Sequence, residues 1–265
     1  MRFAKRHVII TGGGRGIGAA TASRFAAEGA DVLVLSRTEH EVAAVADEIR
    51  GSGGSAWHAV GDVADPEDVE RIFREADARW DGRVDVLVNN AGVDHDCAFL
   101  EFPIAEWRRV IDVNLTGPFL VAQAAARRMA RERVGAIVHI SSIDSLGADG
   151  TQVAYNASKA GLLGLSRTMA VELGPLGIRS TVVNPGYVAT PLTLEYLGPA
   201  DYEHMTKGFA RVPAGRMAEP DEIASAVLFL ASDDARHVNG IELTVDGGTT
   251  ANLYIVETLP GTAGT

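Results

Sequence analysis

The sequence predicts an α/β protein: a single domain whose core is a doubly wound sheet of about seven parallel strands, with helices on both faces. Two observations lead there. Short apolar runs alternate seven times with longer helical patterns, and right-handed βαβ crossovers then place the strands side by side in one parallel sheet. Polar, glycine-rich or proline-rich turns follow the strands directly, at the carboxyl ends where an open sheet binds its ligands. The 265 residues suit one such domain of α/β type.

Each element has its own warrant. His7 to Thr11 is the first apolar run, and it stops at Gly12-Gly13-Gly14-Arg15-Gly16-Ile17-Gly18. Ala19 to Glu28 is helical in composition and stops at Gly29, a common helix terminator. This strand–glycine turn–helix unit suits a phosphate, because glycines allow close backbone approach and the helix start offers free N–H groups. Asp31 to Leu35 is the second strand and Glu39 to Arg50 the second helix. Ala56 to Val60 is the third strand, ending at Gly61-Asp62-Val63; Asp65-Pro66-Glu67 is a helix-start signal, and Glu67 to Trp80 is the helix. Val84 to Val88 is the fourth strand, followed by Asn89-Asn90-Ala91-Gly92.

Ile104 to Arg133 is one long helical pattern with Asn114 inside its apolar face. A buried amide needs a partner, so Asn114 is expected to hold a water or bend the helix, and Pro118 to perturb it further. Ala136 to Ser141 is the fifth strand, Gln152 to Leu173 a helix, and Ile178 to Asn184 the sixth strand, closed by Pro185-Gly186. From Thr190-Pro191 to about Arg216 the periodicity is broken, which predicts a substrate flap over 191–216. Glu222 to Ala231 and Ile241 to Val245 are the last helix and strand. The domain then spans 1–250, leaving a tail at 251–265 whose Leu253, Tyr254, Ile255 and Val256 either dock on a neighbouring subunit or do nothing.

The chemistry gathers around Ser142 to Lys159. Tyr155 and Lys159 are four residues apart at the start of a helix, so both side chains lie on one face. An ammonium beside a phenol favours phenolate, so Lys159 is expected to lower the Tyr155 pKa and fit it for proton exchange with an alcohol or carbonyl. Ser142, at a strand end, is placed to bond the same substrate oxygen. At the second strand's end stands Ser36-Arg37-Thr38 with no carboxylate. Arginine there accommodates a ribose 2′-phosphate, so Arg37, with Arg15, points to NADP(H); NAD(H) is the alternative, with Glu39 reaching the ribose.

Taken together, Thr11-Gly12-xxx-Gly16-Ile17-Gly18, Asp62, Asn89-Asn90-Ala91-Gly92, Asn114, Ser142, Tyr155-xxx-Lys159 and Asn184-Pro185-Gly186 with Thr190 resemble the short-chain dehydrogenase/reductase family, over roughly Lys5 to Gly248. The resemblance implies a Rossmann-type fold and hydride transfer between a nicotinamide cofactor and a secondary alcohol or ketone. It implies that Tyr155 is the general acid/base, that Ser142 orients the substrate oxygen, and that Lys159 binds the nicotinamide ribose. Asn114 would hold a water relaying protons from Lys159. Asp62 and Val63 would meet the adenine, Asn90, Ala91 and Gly92 the cofactor, and Pro185, Gly186, Val188 and Thr190 its nicotinamide end. Ser36-Arg37 resembles the NADP-preferring members. The family's long helices commonly pair into a homotetramer, or a dimer.

Substrate contacts are expected from Ser142, Tyr155, Asp144, Gln152 and Tyr187, with Asp94 to Cys97 and Ile143 to Asp149 as pocket wall. No metal is expected: His95-Asp96-Cys97 are adjacent in a loop and point in different directions. A net charge of −11 argues against nucleic acid and anionic membrane as partners. One cysteine, Cys97, excludes an internal disulfide and fits a cytoplasmic protein. The runner-up functions are a 3-oxoacyl-carrier-protein reductase, which would need a basic patch at the site mouth, and a non-catalytic nucleotide-binding regulator.

Overall fold

The computed structural model describes residues 1–148, 150–194 and 199–252. The predicted tail contacts at Leu253 to Val256, the pocket residue Asp149 and flap residues 195–198 lie outside the described residues.

Seven strands form one parallel sheet in the order β3-β2-β1-β4-β5-β6-β7. They are β1 His7–Thr11, β2 Asp31–Ser36, β3 Ser55–Val60, β4 Val86–Asn89, β5 Gly135–Ile140, β6 Ile178–Pro185 and β7 Glu242–Val245. The switch in order falls between β1 and β4, which pair directly with Ile9 beside Leu87. Side chains alternate between faces, so both must be apolar. Val8, Ile10, Val32, Val34, Val86 and Val88 pack into one core with α1 (Gly16–Ala27), α2 (Glu39–Gly51) and α9 (Pro220–Ala231). Ile9, Leu33, Leu35, Leu87 and Ile137 pack into the other with α3 (Pro66–Trp80) and α5 (Gly117–Glu132).

The long helical pattern is divided. α4 covers Ile104–Ile111, a π-helical segment covers Asp112–Thr116, and α5 follows. Pro118 has no N–H to return to the carbonyl one turn back, so the chain widens locally instead of closing a regular turn. The remaining helices are α6 (Val153–Leu173), α7 (Pro191–Leu194) and α8 (Pro199–Thr206), the last two within the predicted flap. α3 and α9 start on Pro66 and Pro220 rather than on the following glutamates, because proline is preorganised for the first helical position. Among the described residues no helix is long and apolar enough to cross a membrane.

One buried histidine carries a stability prediction. His139 is fully buried on β5, and its Nδ1 lies 3.3 Å from Asn89 Nδ2. Burial, then the Lys159 charge, lower its pKa from 6.5 to about 4. The unfolded chain therefore takes up a proton that the folded chain refuses, so stability is lost as pH falls from 6.5 through about 4. Chemical denaturation at pH 7 and pH 5 should show the loss, and His139→Asn should reduce it by about 1–2 kcal/mol. An unchanged pH dependence in that variant would refute the assignment.

Candidate active site

A single cleft along the strand carboxyl ends runs from the glycine turn to Tyr155 and Lys159. At its phosphate end, Thr11 Oγ1 accepts the N–H groups of Asn90 at 3.0 Å and Ala91 at 3.1 Å. Asn90 Nδ2 donates to Thr11 O at 3.1 Å and Gly12 O at 3.0 Å. The Asn90 amide expected to meet the cofactor is thus committed to holding the turn, although Asn90, Ala91 and Gly92 all line the cleft. Glycine is required at two positions. Gly12 has φ +63°, and a Cβ there would stand 2.8 Å from Ala91 Cα; at Gly18 it would stand 2.2 Å from Gly12 O. Arg15 precedes α1 without a side-chain cap, so the first-turn N–H groups face the cleft uncapped. This cradle fits a dinucleotide pyrophosphate.

At the adenosine end, Ser36 Oγ accepts the Thr38 N–H at 3.1 Å, which turns the chain after β2. Arg37 is exposed, and its Nη1 lies 3.6 Å from Asp62 Oδ2. Asp62 Oδ1 also accepts the Ala64 N–H at 2.9 Å, and Val63 is buried beside Gly117. Glu39 is exposed and does not line the cleft, whereas Glu41 lines it beside Gly14. Sequence reasoning missed Glu41. Its only signal is its place in the first turn of the helix after β2.

At the other end, Pro185, Gly186, Val188 and Thr190 line the cleft. Thr190 closes against the glycine turn, since a Cβ at Gly16 would stand 3.2 Å from Thr190 Cγ2. Ser141 Oγ donates to Lys159 O at 2.9 Å, joining β5 to α6. Lys159 is buried; its Nζ donates to Ile140 O at 2.9 Å and lies 5.3 Å from the Tyr155 ring centroid. Ser142 is hydrogen-bonded to Tyr155 and donates its Oγ–H to Asp144 Oδ2 at 2.9 Å. Asn114 is fully buried in the π segment. Its Oδ1 accepts the Val93 N–H at 2.8 Å, and its Nδ2 donates to Val93 O at 2.8 Å and Ser158 Oγ at 3.1 Å. The Asn114 side chain thus clamps the loop after β4 to α6.

The shift expected for Tyr155 is reversed. Burial, then Asp144 and Asp94, push the Tyr155 phenol well above its ordinary value, against the Ser142 hydrogen bond. Burial lowers Lys159 from 10.5 to about 8, against Asp94 and Asp144. Desolvation disfavours the charged form of each group and is the largest cause of both shifts.

The predicted substrate residues are not all brought together. Asp144 sits on Ser142, as described. Of these residues Ser142 and Tyr155 line the cleft itself; Gln152 holds the N-cap position of α6, and Tyr187 packs edge-to-face on Phe209 with ring centroids 5.1 Å apart. In the Asp94–Cys97 loop, His95 Nδ1 turns to Glu106 Oε2 at 3.6 Å, whereas Asp96 Oδ1 accepts from Thr151 Oγ1 at 3.0 Å.

A cleft with a phosphate cradle at one end and Ser142, Tyr155 and Lys159 at the other defines a nicotinamide-dependent oxidoreductase. The profile described as "Enoyl-(Acyl carrier protein) reductase" matches residues 12–250, and the chain belongs to the short-chain dehydrogenase/reductase family. It is 42% identical over 258 residues to the L-rhamnose 1-dehydrogenase (NAD(P)(+)) of Azotobacter vinelandii, covering 96% of this chain and 100% of that protein. It is 37% identical over 241 residues to the 3-oxoacyl-[acyl-carrier-protein] reductase FabG of Aquifex aeolicus, covering 91% of this chain and 95% of that one. Among solved structures, a gluconate 5-dehydrogenase from Burkholderia cenocepacia J2315 in complex with NADP and tartrate superposes with TM-score 0.88 at 37% identity, covering 95% and 98% of the two chains. The chain is accordingly an enzyme that transfers a hydride between NADP(H) or NAD(H) and a secondary alcohol or ketone.

Proposed function

We propose that Tyr155 exchanges the proton with the substrate oxygen while Ser142 holds that oxygen and Lys159 steadies both the phenol and the cofactor ribose. The observation that carries this reading is that Ser142, Tyr155 and Lys159 line one end of the cleft together, with Lys159 Nζ 5.3 Å from the Tyr155 ring centroid. When bound, the nicotinamide cofactor supplies or accepts the hydride, and the chain's residues orient the reactants and move the proton. Gly12, Gly16, Ile17 and Gly18 with Arg15 take the pyrophosphate, and Asp62 and Val63 the adenine. Pro185, Gly186, Val188 and Thr190 bound the nicotinamide, with residues 191–216 closing over the substrate. Asn114 contributes to proton relay by fixing the loop beside Lys159. The assembly is a cytoplasmic homotetramer, or a dimer, built on the long helices.

NADP(H) is the preferred cofactor, with Ser36, Arg37 and Arg15 around the 2′-phosphate. Arg37 stands beside Asp62, and Glu41 offers a ribose acceptor that suits NAD(H). Titrating the protein with NADPH and NADH, followed by fluorescence, tests the preference. Arg37→Ala should weaken NADPH binding about 10-fold or more and change NADH binding little. Equal weakening of both would remove Arg37 from the phosphate site, and binding of neither would overturn the reading.

Likeness to 3-oxoacyl-carrier-protein reductases keeps that function as a second reading. The charges acting at Tyr155 are those of Asp144 and Asp94, opposite in sign to the basic patch an acidic carrier needs. A non-catalytic regulator would have no need of the full Ser142–Tyr155–Lys159 set.

A further inference from the structure

We infer that the substrate is a neutral polyhydroxylated compound, a sugar or a polyol, selected by Asp94 and Asp144 accepting hydrogen bonds from hydroxyls beside the reacting carbon. This deepens the oxidoreductase reading above and rests on it.

Both carboxylates are held on rigid supports next to the reacting groups. Asp94 follows Val93, whose backbone N–H and C=O are both clamped by the Asn114 side chain at 2.8 Å. The Asp94 carbonyl accepts from Arg109 Nη2 at 2.9 Å, and the loop is tied to the foot of α6 by Cys97 N donating to Thr151 O at 2.9 Å. Asp144 is fixed from the opposite side: its N–H donates to Ser142 Oγ at 3.1 Å, and its Oδ2 accepts the Ser142 hydroxyl. Both aspartates are half-buried, and the charge of each is felt at Tyr155 and at Lys159.

The surroundings of Asp94 set it apart from the other buried aspartate. Asp85 is bonded by the guanidinium groups of Arg6 and Arg83. Among the described residues no guanidinium pairs with the Asp94 carboxylate, whose one bond to a described group is from the His95 N–H at 2.7 Å. Burial pushes its pKa up and the charges of Asp96 and Asp144 add to this, against the His95 N–H bond and the Lys159 charge. A half-buried carboxylate with no guanidinium partner is costly to maintain. The arrangement repels a substrate bearing a carboxylate, phosphate or acidic carrier near the reacting carbon. It rewards hydroxyl donors, because each ionised carboxylate has several lone-pair directions for adjacent hydroxyls. Ser142 links the two functions, since it touches both Tyr155 and Asp144.

The test is a comparison of kcat/KM on the full chain with NADP+ and NAD+, using D-sorbitol and a set of aldoses, D-gluconate, and cyclohexanol. Neutral sugars or polyols should exceed both gluconate and cyclohexanol by about 100-fold, the equivalent of two charge-assisted hydrogen bonds. Asp94→Asn and Asp144→Asn should each lower the ratio of polyol to cyclohexanol kcat/KM by about 10- to 100-fold, mainly through KM. Preference for gluconate or cyclohexanol would overturn the inference while leaving hydride transfer intact, and so would an equal fall on both substrates in the variants. Failure to reduce either cofactor with any of these alcohols, and to oxidise either with the matching ketones, would overturn the oxidoreductase reading itself and this inference with it.

Discussion

Tyr155→Phe is expected to lower kcat by about 10²- to 10⁴-fold, the range lost when a positioned general acid or base is removed. The ring is kept, so its packing against Lys159 Nζ, 5.3 Å from the ring centroid, survives. The hydroxyl alone disappears, and with it the hydrogen bond to Ser142. Cofactor affinity should therefore change little, because the glycine turn and the adenosine end lie at the far end of the cleft. Steady-state rates and NADPH titration on the same preparation separate the two effects. Turnover near the wild-type rate would remove Tyr155 from proton transfer. A parallel loss of cofactor binding would make its role structural.

The fold was legible wherever local chemistry decides local structure. Apolar runs such as Val32 to Leu35 are buried on both faces of a parallel sheet, so they announce themselves without alternation. Tyr155 and Lys159 share one helical face because four residues make about one turn, and α6 delivers that geometry. What could not be read depends on partners distant in the chain. Nothing near Asn90 indicates that its amide is committed to Thr11 and Gly12, 79 and 78 residues away. Nothing in the first turn of α2 indicates that Glu41, rather than Glu39, leans over Gly14. The sign of the Tyr155 shift is hidden in the sequence for the same reason. A four-residue spacing reveals the neighbouring ammonium, whereas burial and the charges of Asp94 and Asp144 come from the assembled fold. The same is true of Asn114. The sequence suggests a buried amide that bends a helix, and the structure adds that it grips Val93 and so fixes where Asp94 stands.

Lys159→Met is expected to lower kcat/KM for carbonyl reduction by about 100-fold or more and to change the shape of its pH profile. Methionine has a similar unbranched length, so the buried site stays filled. The bond to Ile140 O is lost, at a cost of about 1–3 kcal/mol, and relief of the charge burial that holds Lys159 at about 8 offsets part or all of it. A thermal melt measures that cost separately from the rate. The pH dependence is the more discriminating observation. Burial lowers Lys159 to about 8, and kcat/KM reports the groups of the enzyme before substrate binds. As pH rises through about 8, Lys159 loses the proton that makes it a cation. Reduction needs that cation to steady the phenolate left when Tyr155 gives up its proton, so wild-type kcat/KM should fall on the alkaline side. The variant should have lost that limb, with a low and nearly flat profile in the same range. An alkaline limb that persists near pH 8 in Lys159→Met would assign it to another group. A reduced rate with no limb would locate the charge that supports Tyr155 on Lys159 itself.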